Sequence, residues 1–111
     1  MAENYKYLMG ETEMDGQREF PFEFSVVMAV YNVEPFLREA VDSLIAQNFG
    51  FEKIQLIMVD DGSTDGSGAI CDEYAERYPD NVMVIHKENG GVSLARNEGL
   101  KYIQGRYINF M

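Results

Sequence analysis

The chain has one cysteine, Cys71, so no internal disulfide can form and the fold must rest on its core. Basic residues are scarce: nine Lys and Arg stand against 19 Asp and Glu, a formal charge of −10. Nucleic acid is a poor partner for such a chain, because phosphate contacts need clustered Lys and Arg. A nucleotide is not excluded, since a few local groups suffice to grip it. No apolar run approaches the ~20 residues that cross a bilayer, and residues 1–20 lack the apolar core of a secretory signal. With a lone cysteine and seven Met, these absences lead us to expect a soluble, cytoplasmic protein. There is neither an internal repeat nor a low-complexity segment. What is present is 46% hydrophobic and 13% aromatic residues over 111 positions, enough for the core of one domain.

Residues 1–22 show no sustained period and contain Gly10, Gly16 and Pro21, so we expect a flexible N-terminal extension before a body spanning 23–111. From there the pattern is regular. "FSVVMAV" (24–30) is a continuous apolar, β-branched run, as expected of a strand covered on both faces. Pro35 suits the first turn of a helix whose apolar stripe is Phe36, Leu37, Ala40, Val41, Leu44 and Ile45, with Asn48 and Gly50 ending it. "IQLIMV" (54–59) and "VMVIH" (82–86) predict further strands, separated by a helix from about Ser67 to Tyr78. A helix from about Val92 to Gln104 should bury Val92, Ala95, Leu100 and Ile103, and "RYINFM" (106–111) should be a fourth strand. Alternation of this kind predicts a doubly wound, Rossmann-like parallel α/β sheet in three α/β/α layers, with strand order 3-2-1-4. The last apolar strand has no polar turn after it, so the chain is expected to be the N-terminal part of a longer protein. Its edge, Tyr107–Phe110, would then expose apolar surface and offer a route to a homodimer.

The strand at 54–59 runs into "DDGSTDGS", and several chemistries use such a pair of aspartates. Asp61, Ser63, Asp65 and Gly66 match the start of a calcium loop, but the twelfth position is Asp72 rather than Glu, and a strand leads in. A phosphoacceptor domain places its acidic pair after the first strand, not the second. The turn "VYNVEP" has no glycine, which removes a dinucleotide fingerprint, and no P-loop is present. A nucleotide held by its base and ribose fits better. Tyr31 and Asn32 would end the first strand, Asp60 and Asp61 the second, and Asn89 would follow the third, all on the carboxyl side of the sheet. An aromatic face can stack on a base, and a carboxylate can accept from base or ribose donors. Plainer roles stay open: Tyr31 as a core aromatic, Asp60 or Asp61 as turn caps, and Asp65 and Ser67 as helix caps. His86 reads as a strand-end residue with a satisfied hydrogen bond, and Cys71 as a small residue near the core.

"SVVMAVYNVEPFLREAVDSLIAQ", "IQLIMVDDGSTDGS" and "ENGGVSLARNEGL", in this order, resemble the start of a family 2 glycosyltransferase with the GT-A fold. The resemblance covers residues 24–111. It implies transfer of a sugar, usually with inversion, from a nucleotide diphosphate sugar to an acceptor hydroxyl, with a UDP-sugar favoured. It further implies that Tyr31 stacks on the base, Asp61 accepts from the base N–H with Asp60 beside it, and Asn89 and Arg96 lie along the ribose and diphosphate. Glu34 matches a frequently acidic position, and Ala29 stands where the family commonly has proline. The family's Mn²⁺ or Mg²⁺ is held by an Asp-x-Asp expected beyond Met111, so no metal ligands are assigned here. The implied acceptor is a glycan or polyol polymer of the cell surface or wall, with the parent protein at the cytoplasmic face of the membrane. A non-catalytic nucleotide-binding or interaction module is the alternative.

Overall fold

The structure, a computed structural model, describes residues 20–47 and 50–111. Most of the expected N-terminal extension (1–19), and Asn48 at the expected helix end, lie outside the described residues. Four strands alternate with three helices: β1 (Phe22–Val30), α1 (Glu34–Ile45), β2 (Ile54–Asp61), α2 (Ser67–Arg77), β3 (Val82–Lys87), α3 (Val92–Leu100) and β4 (Gly105–Phe110). A single 3-10 turn, Phe51–Lys53, leads into β2. All neighbouring strands are parallel, in the order β3-β2-β1-β4.

The order has a physical consequence. From β1 to β3 the chain steps one way across the sheet, then returns past β1 to β4. Crossovers of one hand therefore put α1 and α2 on one face and α3 on the other. Side chains alternate accordingly. Val26, Met28, Val30, Leu56 and Met58 join Leu37, Val41, Leu44, Ile70 and Tyr74 in the larger core. Val27, Ile57 and Val59 meet Ala95 in the smaller one. The direction reverses between β1 and β4, so the topological switch point lies at their carboxyl ends.

Three details differ from the sequence expectation. Phe36 is 68% exposed, because the buried face of α1 runs through Leu37, Val41 and Leu44 and Phe36 lies off it. Val92 is likewise exposed in the first turn of α3, which ends at Leu100 instead of Gln104. β2 continues through both aspartates. As expected, β4 forms a sheet edge on which Tyr107 and Phe110 are exposed.

At the end of the sheet away from the switch point, Ser25 and Gln55 form a buried polar pair bonded to each other. Gln55 also accepts from the Gln104 N–H and donates to Tyr102 O, while Ser25 Oγ accepts from the Gly105 N–H. The polar groups there are satisfied by the chain entering β4, and this fixes the β1–β4 register.

Candidate functional site

Because β2 runs through Asp61, its two terminal carboxylates point to opposite faces of the sheet. They do not form a pair. Asp60 is 6% exposed and turns to the α2 side, where Oδ1 accepts the Ser63 N–H at 3.0 Å and Oδ2 lies 2.8 Å from His86 Nδ1. His86 Nε2 in turn lies 2.8 Å from Asp72 Oδ1 on α2. Asp61 is 3% exposed and turns to the α3 side. Its Oδ1 accepts from Lys87 Nζ at 3.0 Å and the Gly90 N–H at 2.9 Å. Its Oδ2 accepts from the Gly91 N–H at 2.9 Å and from Asn89 Nδ2 at 3.3 Å. The amides of Gly90 and Gly91 thus hold an internal anion.

The charges follow from these partners. The Gly90 N–H and the Lys87 ammonium, joined by the Gly91 N–H, hold Asp61 below the usual carboxylate range against the opposing effect of desolvation. Desolvation pushes Asp60 up, but hydrogen bonds from Ser63 and His86 outweigh it and leave it lowered. Hydrogen bonds to Asp72 and Asp60 raise His86 above its ordinary value, against burial. Burial, then the charges of Asp60 and Asp72, push the Cys71 thiol up to about 12, so it is no nucleophile.

A pH profile follows. A raised histidine stabilises the fold fully below its unfolded pKa of about 6.5, and that contribution is lost as pH rises through the folded value. A lowered aspartate stabilises above about 3.9, and the contribution is lost as pH falls through the folded value. Thermal melts should therefore peak between about pH 5 and 6.5. The wild type should lose roughly 2–4 °C between pH 6 and 8.5, a small drop because the half-exposed pair is screened. His86→Gln should remove this alkaline decline and keep the acid one; an unchanged alkaline decline in His86→Gln would refute the assignment.

The remaining predicted residues fall into place around the switch point. Tyr31 leaves β1 with its side chain 49% exposed. Asn32 and Glu34 are engaged with the loop after β2, Asn32 Oδ1 accepting the Thr64 N–H at 2.8 Å and Glu34 Oε1 the Gly66 N–H at 2.8 Å. Asn89 Nδ2 also donates to Asp61 O at 3.0 Å. Ala29 pairs in register with Val59 and packs against the smaller core. The Arg96 guanidinium stacks over Phe110 at 5.6 Å, at the carboxyl end of β4. His86 and Lys87 were not among the candidates. Register could have found them, since β3 sets His86 beside Asp60 and Lys87 beside Asp61.

Among the described residues no group of three His, Cys, Asp or Glu side chains is placed to hold a metal ion. The acids of the calcium-like loop illustrate why: Asp61 faces Lys87, Asp65 Oδ1 accepts the Ser67 N–H at 2.9 Å, and Asp72 meets His86. Their oxygens share no centre. The residues present therefore do not fit the divalent cation that the family resemblance implies.

Residues 25–111, from β1 to the last residue, match the model of the family described as Glycosyl transferase family 2. The chain belongs to that family. The minor teichoic acid biosynthesis protein GgaB of Bacillus subtilis (strain 168) is 56% identical to this family 2 chain over 95 residues, 86% of the chain and 11% of GgaB. The uncharacterized glycosyltransferase EpsJ of the same organism is 46% identical over 87 residues, 78% of the chain and 24% of EpsJ. The chain thus spans 11% to 24% of the length of these curated relatives. Among solved structures, S. aureus TarS 1–349 superposes with a TM-score of 0.73 at 33% identity, over 81% of this chain and 27% of TarS, and shares its GT-A fold. TarS has also been solved in complex with UDP and with UDP-GlcNAc. No helix among the described residues is long and apolar enough to cross a membrane.

Proposed function

We propose that this family 2 chain supplies the nucleotide pocket of an inverting glycosyltransferase. The full-length enzyme would move a sugar from a UDP-sugar to an acceptor hydroxyl during synthesis of a cell-surface or wall polysaccharide, at the cytoplasmic face of the membrane. The observation that carries the pocket is Asp61: a buried carboxylate, held ionised, at the carboxyl end of a central strand. Its likeness to TarS, whose UDP complex matches at 32% identity, favours uridine as the base.

In this reading Tyr31 offers its exposed face to the base and Asp61 accepts the base N–H. Four donors already occupy Asp61, so one must yield. Lys87 can, because its ammonium keeps Glu88 O at 2.7 Å when it leaves the carboxylate. Asn89 and Arg96 then lie on the ribose and diphosphate side. The divalent cation of the full-length enzyme would offset charge on the leaving diphosphate.

The test is a UDP titration followed by amide chemical shifts. Without a cation, and with a net charge of −10 opposing the ligand, we expect a Kd of order millimolar, about −4 kcal/mol. Shifts should concentrate at Tyr31, Asp61, Asn89 and the two glycines that follow. A flat titration with UDP, or shifts confined to the opposite end of the sheet, would reject the pocket. The inverting outcome is read separately, from the anomeric configuration of the product made by the full-length enzyme.

A further inference from the structure

The exits of β1 and β2 are tied together by hydrogen bonds that the base contacts leave unused. The Asn32 N–H donates to Ser63 Oγ at 3.0 Å, while its Oδ1 accepts the N–H groups of Thr64 at 2.8 Å and Asp65 at 3.3 Å. The Val33 N–H donates to Ser67 Oγ at 3.0 Å. The Glu34 N–H donates to Asp65 Oδ2 at 3.2 Å, and its Oε1 accepts the Gly66 N–H. With the Thr64 hydroxyl, which donates to Asn32 Oδ1 at 3.4 Å, three consecutive residues of one segment exchange seven bonds, in both directions, with five consecutive residues of the other. The far loop is itself anchored, because buried Asp60 accepts the Ser63 N–H.

Two further observations show what this arrangement acts on. Asn32 has φ +50°, a left-handed conformation that asparagine tolerates better than most residues. Immediately before it stands Tyr31, whose side chain has no hydrogen bond or ring contact among the described residues. About half of the residue is exposed, and with no such hydrogen bond or ring contact to hold the side chain, the backbone on either side fixes where it starts. On one side that backbone is the β1 ladder. On the other it is Asn32.

We propose that Asn32, Glu34 and the Ser63–Ser67 loop form a clasp that aims Tyr31. Asn32 and Glu34 are then positioning residues, acting on the nucleotide through Tyr31 rather than touching it. This inference rests on the nucleotide pocket proposed above, and it adds a ligand-free consequence that can fail independently. Asn32→Ala removes the acceptor and disfavours the left-handed turn. Asn32→Asp keeps an acceptor and the tolerance for positive φ.

The first measurement is the Tyr31 χ1 distribution in the free protein, from side-chain scalar couplings. Wild type and Asn32→Asp should show one dominant rotamer, and Asn32→Ala an averaged set. The second is UDP affinity, expected to fall about 3- to 10-fold in Asn32→Ala, the worth of one hydrogen bond, and to stay within about 2-fold in Asn32→Asp. Arg38→Ala, which breaks the α1–α2 ion pair with Glu73, is the control for general destabilisation and should leave Tyr31 unchanged. An unaltered Tyr31 rotamer in Asn32→Ala overturns the clasp. If UDP fails to bind even wild type, the nucleotide pocket falls while the χ1 comparison still decides the clasp. Should Asn32→Ala not fold, Ser63→Ala removes one rung and is judged by the same two readouts.

Discussion

Asp61→Ala is expected to abolish measurable UDP binding and to lower the melting temperature on the order of 10 °C. The base loses its acceptor, but the larger damage is internal. The substitution takes the carboxylate from the Lys87 ammonium, which keeps only Glu88 O, and leaves the amides of Gly90 and Gly91 without their acceptor. Unmet donors cost more than the bonds they made. Asp61→Asn is informative because both oxygens of Asp61 face donors. Either amide orientation turns an NH₂ toward an N–H or an ammonium, so asparagine should recover only part of the loss. Reading the residue as a base acceptor alone would predict that a rotated amide restores binding. Thermal melts and UDP titrations of the two variants separate these cases: wild-type stability in Asp61→Ala would show that the turn does not depend on the carboxylate.

Gly62→Ala should destabilise the fold by about 2–4 kcal/mol and take UDP binding with it. Gly62 has φ +78°, and a Cβ built there would lie 2.7 Å from the Asn89 backbone nitrogen and 3.1 Å from its Cα. Backbone, not a flexible side chain, would have to move. Gly91→Ala tests strain without a clash, since Gly91 has φ +101° and ψ 162°, a region essentially confined to glycine, and a Cβ there meets nothing within 4 Å. It should cost about 1–3 kcal/mol, the strain alone. Urea denaturation of both variants reads the two costs, and wild-type stability in Gly62→Ala would mean that the approach of Asn89 to Gly62 is not close.

Much of this fold was legible because its central strands are buried on both faces. "FSVVMAV" and "IQLIMV" have no alternation to misread, and the spacers between strands are too long for hairpins. The strand order followed from the same pattern and matches the structure. The errors share a cause. Helical period tells which side of a helix is apolar, not which of its residues a layer covers, so Phe36 was placed on an apolar stripe and Val92 among the buried residues, and both are exposed. Aspartate is a poor strand former, so the strand was ended at Val59; pairing with His86 and Lys87 carries it two residues further. That extension decides the facing of Asp60 and Asp61, and neither facing could be read without the partner strand. At the site, Tyr31 and Asp61 stand at the predicted strand ends. The clasp of Asn32 and Glu34 was hidden because its partners lie about thirty residues away.

The two sides of the proposed crevice stand on unequal cores. Among the described residues, fourteen buried side chains form the core beneath the loops that aim Tyr31, and four form the core beneath α3. The glycine turn that grips Asp61 leads directly into α3, so it stands on the thinner foundation. In the proposed pocket an entering ligand would meet the better-packed side at Tyr31 and the thinner side at Lys87 and the turn, so any adjustment to it is expected on the α3 side.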